Sequence, residues 1–418
     1  MDAIRALEEA ACVITAAQAS LARELDASQR TEQATAGVPA RRRGKGVAAQ
    51  VALARRESPE RGTKHLALAP IVATELPHTW AAWKAGRVGE WKATLVARET
   101  ACLDVELRLE VDRLVAQDPD RFEKMADAEV ASECARHAAQ LDPASVTARR
   151  RRAEGDRRVT LRPAPDTMSH LSALLPVKDG VAVLAVLTRR ADAARATGDE
   201  RSRGQLMADA LVAAVLGTGD GRVPSGRAMR PTVGTRAREP RLELGLVMSD
   251  ASLLGDSEDP AHIEGFGPVP AELAREIVVG ACSRDEQVWM RRLWASPRTG
   301  ELVSMDARGR FFRNSLARFI RLRDQVCRTP WCAAPIRHVD HVRRSADGGA
   351  TSQDNAQGLC EACNHAKDAP GWQARPRPDG SVGTTTPTGH TFATRPPAIA
   401  RIHHRDLPPL TIDYYVAS

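Results

Sequence analysis

At 418 residues, 43% of them hydrophobic but only 4% aromatic, the chain is long enough for two or three compact units with cores of Ala, Leu and Val carried mainly on helices. The opening Met1-Asp2-Ala3-Ile4-Arg5 has no basic region leading into an apolar stretch, and the longest apolar runs, Val181 to Leu187 and Ala210 to Leu216, fall far short of the roughly 20 residues that span a bilayer. Neither a secretory leader nor a membrane-spanning helix is expected, a soluble cytoplasmic protein is, and the formal charge of +7 points to polyanionic partners.

Ile4, Leu7, Ala11, Val13, Ile14, Ala17, Leu21 and Leu25 recur at helical spacing and predict an amphipathic helix over residues 1 to about 28. In the loop that follows, Arg41-Arg42-Arg43-Gly44-Lys45 reads as a solvated basic stretch, a contact to a DNA backbone being the other reading. From Val47 to Leu141 several helices are expected, divided at Pro70, Leu76-Pro77 and Asp118-Pro119. Pro77 should open a helix with Trp80 and Trp83 in the core, and a helix from about Gly89 should bury Trp91, Leu95, Cys102, Val105 and Leu109.

Arg149 to Arg152 read as a solvated helix end and Arg157 to Pro163 as a short strand. Helices are expected from Asp166 to Arg195 and from Arg201 to Leu216, then a Gly-, Pro- and Arg-rich linker over Gly217 to Pro240. A strand over Arg241 to Met248, a helix over Ala271 to Cys282, and a hairpin of Val288 to Trp294 with Glu301 to Met305 follow. After Trp372 the tail lacks periodicity and is expected to be extended or partly disordered. The fold class is thus α+β, mostly helical: a helical domain over 1–216, a small α+β connection over 217–306, a compact module over 307–372 and a tail over 373–418.

Most of the net positive charge lies in that module, where Arg308 to Lys367 holds eleven basic residues against five acidic ones. Eight cysteines are too few for a disulfide scaffold in so long a chain. Cys12, Cys102, Cys134 and Cys282 stand alone and read as small buried residues. The other four form close pairs, Cys327/Cys332 and Cys360/Cys363, whose thiolates can supply the corners of a tetrahedral structural zinc site. Between the pairs, Ile336 to Val342 has strand character, Asp347-Gly348-Gly349 is a turn signal, and a return strand and a helix near Cys363 to Asp368 complete a β-β-α outline.

Asp340-His341, Asn355 and Asn364-His365, set at this spacing around the cysteine pairs, resemble the HNH nucleases and their ββα-metal fold. The usual pattern has a histidine directly after the last cysteine; Asn364 stands there, with His365 one position later, and some HNH nucleases are similar in using asparagine. The resemblance implies His341 as general base, Asp340 with Asn364 (His365 being the alternative) as ligands of Mg²⁺ or Mn²⁺, and Asn355 as the residue that orients the histidine-bearing loop. Arg343, Arg344 and Lys367 are either phosphate contacts or solvated charges.

Elsewhere Leu76-Pro77-His78-Thr79, Gly86-Arg87-Val88, Gly265-Phe266-Gly267-Pro268 and Arg323-Asp324-Gln325-Val326-Cys327-Arg328 resemble a large bacterial family in which a helical domain of unknown function precedes an HNH module, the thirteen-E-twelve repeat proteins. The implied function is a metal-dependent endonuclease acting on double-stranded DNA. A zinc-stabilised DNA-binding protein with weak or lost nuclease activity is the reading from a different class.

Overall fold

The computed structural model describes residues 1–216, 244–255, 257–283, 293–295, 300–305 and 312–398. They divide into two compact units, Met1–Val146 with Gly245–Ser418, and Thr147–Leu244.

The first unit opens with a helix over Asp2–Thr35, a turn or two longer than its apolar periodicity marks, followed by helices over Val47–Arg55, Pro59–Glu75, Pro77–Lys84, Glu90–Glu99, Val105–Ala116, Pro119–Lys124 and Asp127–Leu141. Their starts follow from local chemistry: Ser58 and Asp104 accept backbone N–H bonds as N-caps, while Asp118 does so ahead of a proline at the first helical position. Leu76 and Trp83 are fully buried with Val72, Val96, Val111, Phe122 and Val130 around them. Buried Asp112 fixes the Pro77–Lys84 start by accepting from the N–H groups of His78 and Thr79 at 2.7 and 3.1 Å and from the Thr79 hydroxyl at 2.5 Å. The Leu-Pro-His-Thr run is therefore a capped corner of the core.

Two expectations are corrected in this region. Pro70 lies inside the Pro59–Glu75 helix instead of ending it; Ala69 and Val72 on either side are fully buried, and that packing carries the turn past the missing N–H. Trp91 is 55% exposed, with the Arg98 guanidinium 5.9 Å from its ring, because the buried stripe of its helix runs through Ala93, Val96 and Ala97. Val105 and Leu109 are likewise exposed on their helix, whose inner face is Val111 and Val115.

A charged cluster ties two of these helices. His65 lies between Glu90, which its Nδ1 contacts, and Glu57 at 2.7 Å from Nε2, with Arg55 3.3 Å from Glu90. The Glu90 hydrogen bond, aided by that of Glu57 and opposed by burial, raises the His65 pKa. A folded pKa above the unfolded one gives stability that is complete below about pH 6.5 and is lost as pH rises through the folded value. We expect the melting temperature to fall over that window, above the range where carboxylates protonate, and the fall to be smaller in His65→Gln; an identical pH profile in the variant opposes this account.

In the second unit, strands Arg158–Pro163 and Ser169–Leu174 pair antiparallel, Leu161 opposite Leu171, and helices Val177–Ala196 and Arg203–Leu216 pack on each other. The helix expected from Asp166 thus begins only at Val177. Asp166 and Thr167 take positive φ values of 58° and 59°, and Met168 O accepts from Ala164 N, which turns the chain into a hairpin. Arg150 to Arg152 are exposed at the end of the Pro143–Ala153 helix, as expected.

Back in the first unit, strands Leu246–Val247, Ala261–Ile263 and Gly267–Val269 form an antiparallel sheet, and Ala271–Ser283 is helical. The expected hairpin is present over Leu293–Ala295 and Leu302–Met305. The expected linker Gly217 to Pro240, the strand start over 241–243 and the rest of the hairpin lie outside the described residues.

After helix Phe312–Asp324, strands His338–His341 and Ala356–Leu359 pair antiparallel and lead into helix Glu361–Lys367, the β-β-α outline. Over its described residues the tail is folded, not irregular, while residues 399–418 lie outside the described residues. Gln373–Pro376, Val382–Thr385 and Thr391–Thr394 form a three-stranded meander, closed by turns at Gly380 and Gly389 with φ of 76° and 83° and by Asp379 accepting from Ser381. Among the described residues no helix is long and apolar enough to cross a membrane.

Candidate active site

The four paired cysteines converge. Gln325, Trp331 and Ala333 adopt positive φ, which folds the first pair into a knuckle closed by Cys327 N donating to Ala334 O at 2.9 Å. Cys360 caps the Glu361–Lys367 helix and so sets Cys363 one turn further on. All four Sγ atoms lie within 4.8 Å of one another, Cys332 and Cys360 at 3.6 Å. A tetrahedron with Zn–S bonds of about 2.3 Å has edges of about 3.8 Å, so the sulfur cage fits zinc in size and softness. The Cys327 thiol is driven below its ordinary pKa, first by the Cys332 thiol and then by Cys360 and Cys363, whereas Cys332 and Cys363 are pushed up, each first by Cys327.

On the strand pair, Asp340 sits opposite Gln357 and His341 opposite Ala356. The loop after His341 is cinched by Asn355: its Oδ1 accepts from Arg343 N at 2.8 Å, and its Nδ2 donates to Arg343 O at 3.0 Å and Ala350 O at 2.8 Å. Gly349 is needed there, since a Cβ would stand 2.0 Å from Arg343 O, and Gly348 supplies the left-handed turn at φ 81°. His341 Nε2 lies 2.8 Å from the Thr351 hydroxyl, a partner that spacing did not single out.

On the helix, Asn364 is half-buried and its buried Oδ1 has no hydrogen-bond partner among the described residues, whereas His365 is exposed. Lys367, read from sequence as a phosphate contact or a solvated charge, is turned inward: it is 9% exposed, contacts Asp340 Oδ2, and donates to His341 O at 2.6 Å. Arg343 and Arg344 are exposed, the latter only 3.7 and 3.8 Å from Asp347 and Asp368.

A buried ion network underlies the site. Asp324, with no exposed side-chain surface, pairs with Arg323, with Arg328 at 3.0 Å and with Gly358 N at 2.7 Å. Arg323 reaches Gln353 O and Ala356 O, both at 2.7 Å, and so holds the return strand behind Asn355; Arg328 donates to Thr394 O at 2.7 Å and anchors the meander. The motif Arg323 to Arg328 carried the signal, although no role could be assigned to it from spacing.

Residues 1–324 match the family model of a domain of unknown function, DUF222, and residues 325–369 match that of the HNH endonucleases. The chain belongs to the DUF222 family. The expected pairing of a helical front domain with a C-terminal HNH module is what this member carries. It is similar to the uncharacterized protein Rv3776 of Mycobacterium tuberculosis, 28% identical over 226 residues, 47% of this chain and 41% of the relative. It is also similar to the uncharacterized proteins MT2160 and Rv2100 of two strains of that organism, each 33% identical over 137 residues, 32% of this chain and 22% of the relative. The chain thus spans less than half the length of the curated relatives it matches. No solved structure matches it.

Proposed function

We propose that this DUF222 member is a metal-dependent DNA endonuclease of the HNH type that hydrolyses phosphodiester bonds in double-stranded DNA. The observation that carries the reading is the unpartnered, buried Oδ1 of Asn364. An orphaned buried acceptor costs about 1–3 kcal/mol, and a hard amide oxygen on the helix that packs on the Asp340 strand suits Mg²⁺ or Mn²⁺. Asp340 and Asn364 would hold the ion; exposed His365 lacks that support. A cation bound by these two residues would supply positive charge to the phosphate undergoing cleavage.

His341, held by Thr351, takes the proton from the attacking water. Asn355 keeps its loop closed, exposed Arg343 and Arg344 meet the phosphates, and the four cysteines hold zinc and with it the module. The test is cleavage of supercoiled plasmid by the purified chain with Mg²⁺ or Mn²⁺: conversion to nicked or linear forms supports the reading, and intact plasmid across both metals sinks it.

One observation favours the second reading, a zinc-stabilised DNA-binding module with catalysis weak or lost. The Lys367 ammonium rests on Asp340, where the carboxylate would meet a metal. Under the nuclease reading Lys367 positions Asp340, and Lys367→Met should slow cutting by about 10–100-fold, as loss of a ligand's outer partner does. A variant that cuts faster than the natural chain would instead identify Lys367 as the group that blocks the site.

A further inference from the structure

The Glu361–Lys367 helix has three working faces. Cys360 and Cys363 serve the thiolate cage, Asn364 and Lys367 serve the Asp340 strand, and Ala362, His365 and Ala366 border a cleft of about 340 Å³ whose other wall is the basic loop of the helical domain. Arg42 and Lys45 line this cleft opposite His365 and Asp368.

The loop is held in place. Gly44 N donates to Gln33 Oε1 at 2.6 Å, Arg43 Nε donates to Val38 O at 2.9 Å, and Arg30 donates to Arg43 O at 3.2 Å. Gly46, at φ 84°, lies so close to the end of the nuclease helix that a Cβ would stand 2.4 Å from Trp372 Nε1 and 2.8 Å from the Ala369 Cβ. Leu53, Ala369 and Trp372 share one buried cluster, and Thr388 of the meander bonds Gln50 at 3.1 Å. With its backbone thus fixed, the loop presents Arg41, Arg42 and Lys45 exposed, and none of the three has an ion-pair partner among the described residues. Three cations without ion-pair partners among the described residues, on an anchored loop beside a helix about 10–12 Å across with side chains, form a surface suited to a polyanion.

We propose that Arg41, Arg42 and Lys45 are a second phosphate-backbone site for duplex DNA, through which the helical domain holds the strand flanking the one presented to His341. The proposal rests on the DNA-directed reading above, and its test separates the two. Binding of a short labelled duplex by the full chain is measured in the His341→Ala background between about 50 and 200 mM salt, with and without Arg41→Gln, Arg42→Gln and Lys45→Gln together. Each phosphate contact contributes about 0.9 to the slope of log K against log salt, so the triple variant should lose about 2–3 of slope. Charge-preserving Arg41→Lys, Arg42→Lys and Lys45→Arg should retain it, which removes misfolding as the cause.

An unchanged slope, or no duplex binding by the starting chain, overturns the proposal. Unchanged duplex binding with weakened binding of poly-glutamate would assign the loop to an acidic protein partner and overturn it as well. If the slope falls but plasmid is never cut, the nuclease reading fails and the loop site stands; if His341-dependent cutting is intact and the slope is unchanged, the loop site alone fails.

Discussion

Replacing His341 with alanine is expected to slow plasmid cleavage by about 10²–10⁴-fold, the range that a positioned general base contributes, while leaving duplex affinity near that of the natural chain. Its imidazole is half-buried with Nε2 against the Thr351 hydroxyl, and its backbone carbonyl accepts from Lys367, so ring and main chain are both held. The backbone at this position is also fixed by the ladder to Ala356 and by the bond from Val342 N to Asn355 O at 2.8 Å, neither of which needs the side chain. The substitution therefore removes a proton acceptor without dismantling the loop. Thr351→Ala should produce a smaller loss of the same kind, since it releases the ring but leaves the base. A His341→Ala protein that cuts at the natural rate would remove His341 from the reaction, and one that also loses duplex binding would make it a structural or DNA-contacting residue.

The C-terminal module was the part most legible in the sequence, because its determinants are short-range. Two cysteine pairs, a Gly-Gly turn and a helix-capping cysteine define the β-β-α path within the residues from Cys327 to Lys367. The helical front was legible through apolar periodicity and prolines at helix starts, and illegible where packing overrules them, as at Pro70 and Trp91. The tail meander escaped because its strands are four residues each, few of them large and apolar, and alternate weakly; Asp379-Gly380 and Thr388-Gly389 were its turn signals. Its position directly after the last cysteine and its hard amide oxygen already favour Asn364 over the adjacent His365 in the sequence. Environment adds to this: among the described residues the buried Asn364 Oδ1 has no donor, whereas the His365 ring is exposed. The inward turn of Lys367 and the Asp324 network depend on groups 27 and 34 residues apart in sequence, a distance at which composition carries no information.

The second large effect is expected at the thiolate cage. In the β-β-α module the buried cluster around the knuckle consists of Cys327, Cys332, Cys360, Cys363 and Leu359, with Ala334 packed against it. Four of its five buried members are the cysteines, so on this side of the strand pair a bound metal would stand in for an apolar core, while Val339 and Ala356 of the strands pack with Leu302, Phe319 and Ile320 in a second cluster. Structural zinc in small modules carries about 10–16 kcal/mol of apparent binding free energy, and that binding is also folding free energy. Cys360→Ser removes a soft ligand but keeps an N-cap, since the serine Oγ can accept from Cys363 N in place of the Sγ that now accepts at 3.4 Å, so any loss is assigned to the metal and not to the helix start. Zinc content measured on the purified variant should fall well below one ion per chain, and proteolysis should open the exposed Arg343-Arg344 loop, which the return strand otherwise restrains through Asn355. Cys134→Ser, a substitution in the helical core remote in sequence from the cage, should leave zinc content unchanged. Stoichiometric zinc retained in Cys360→Ser would show that the cage is not the metal site. Zinc loss with an intact, protease-resistant loop would show that the Asp324 network and the meander, anchored through Arg323 and Arg328, are sufficient to hold the module without the metal.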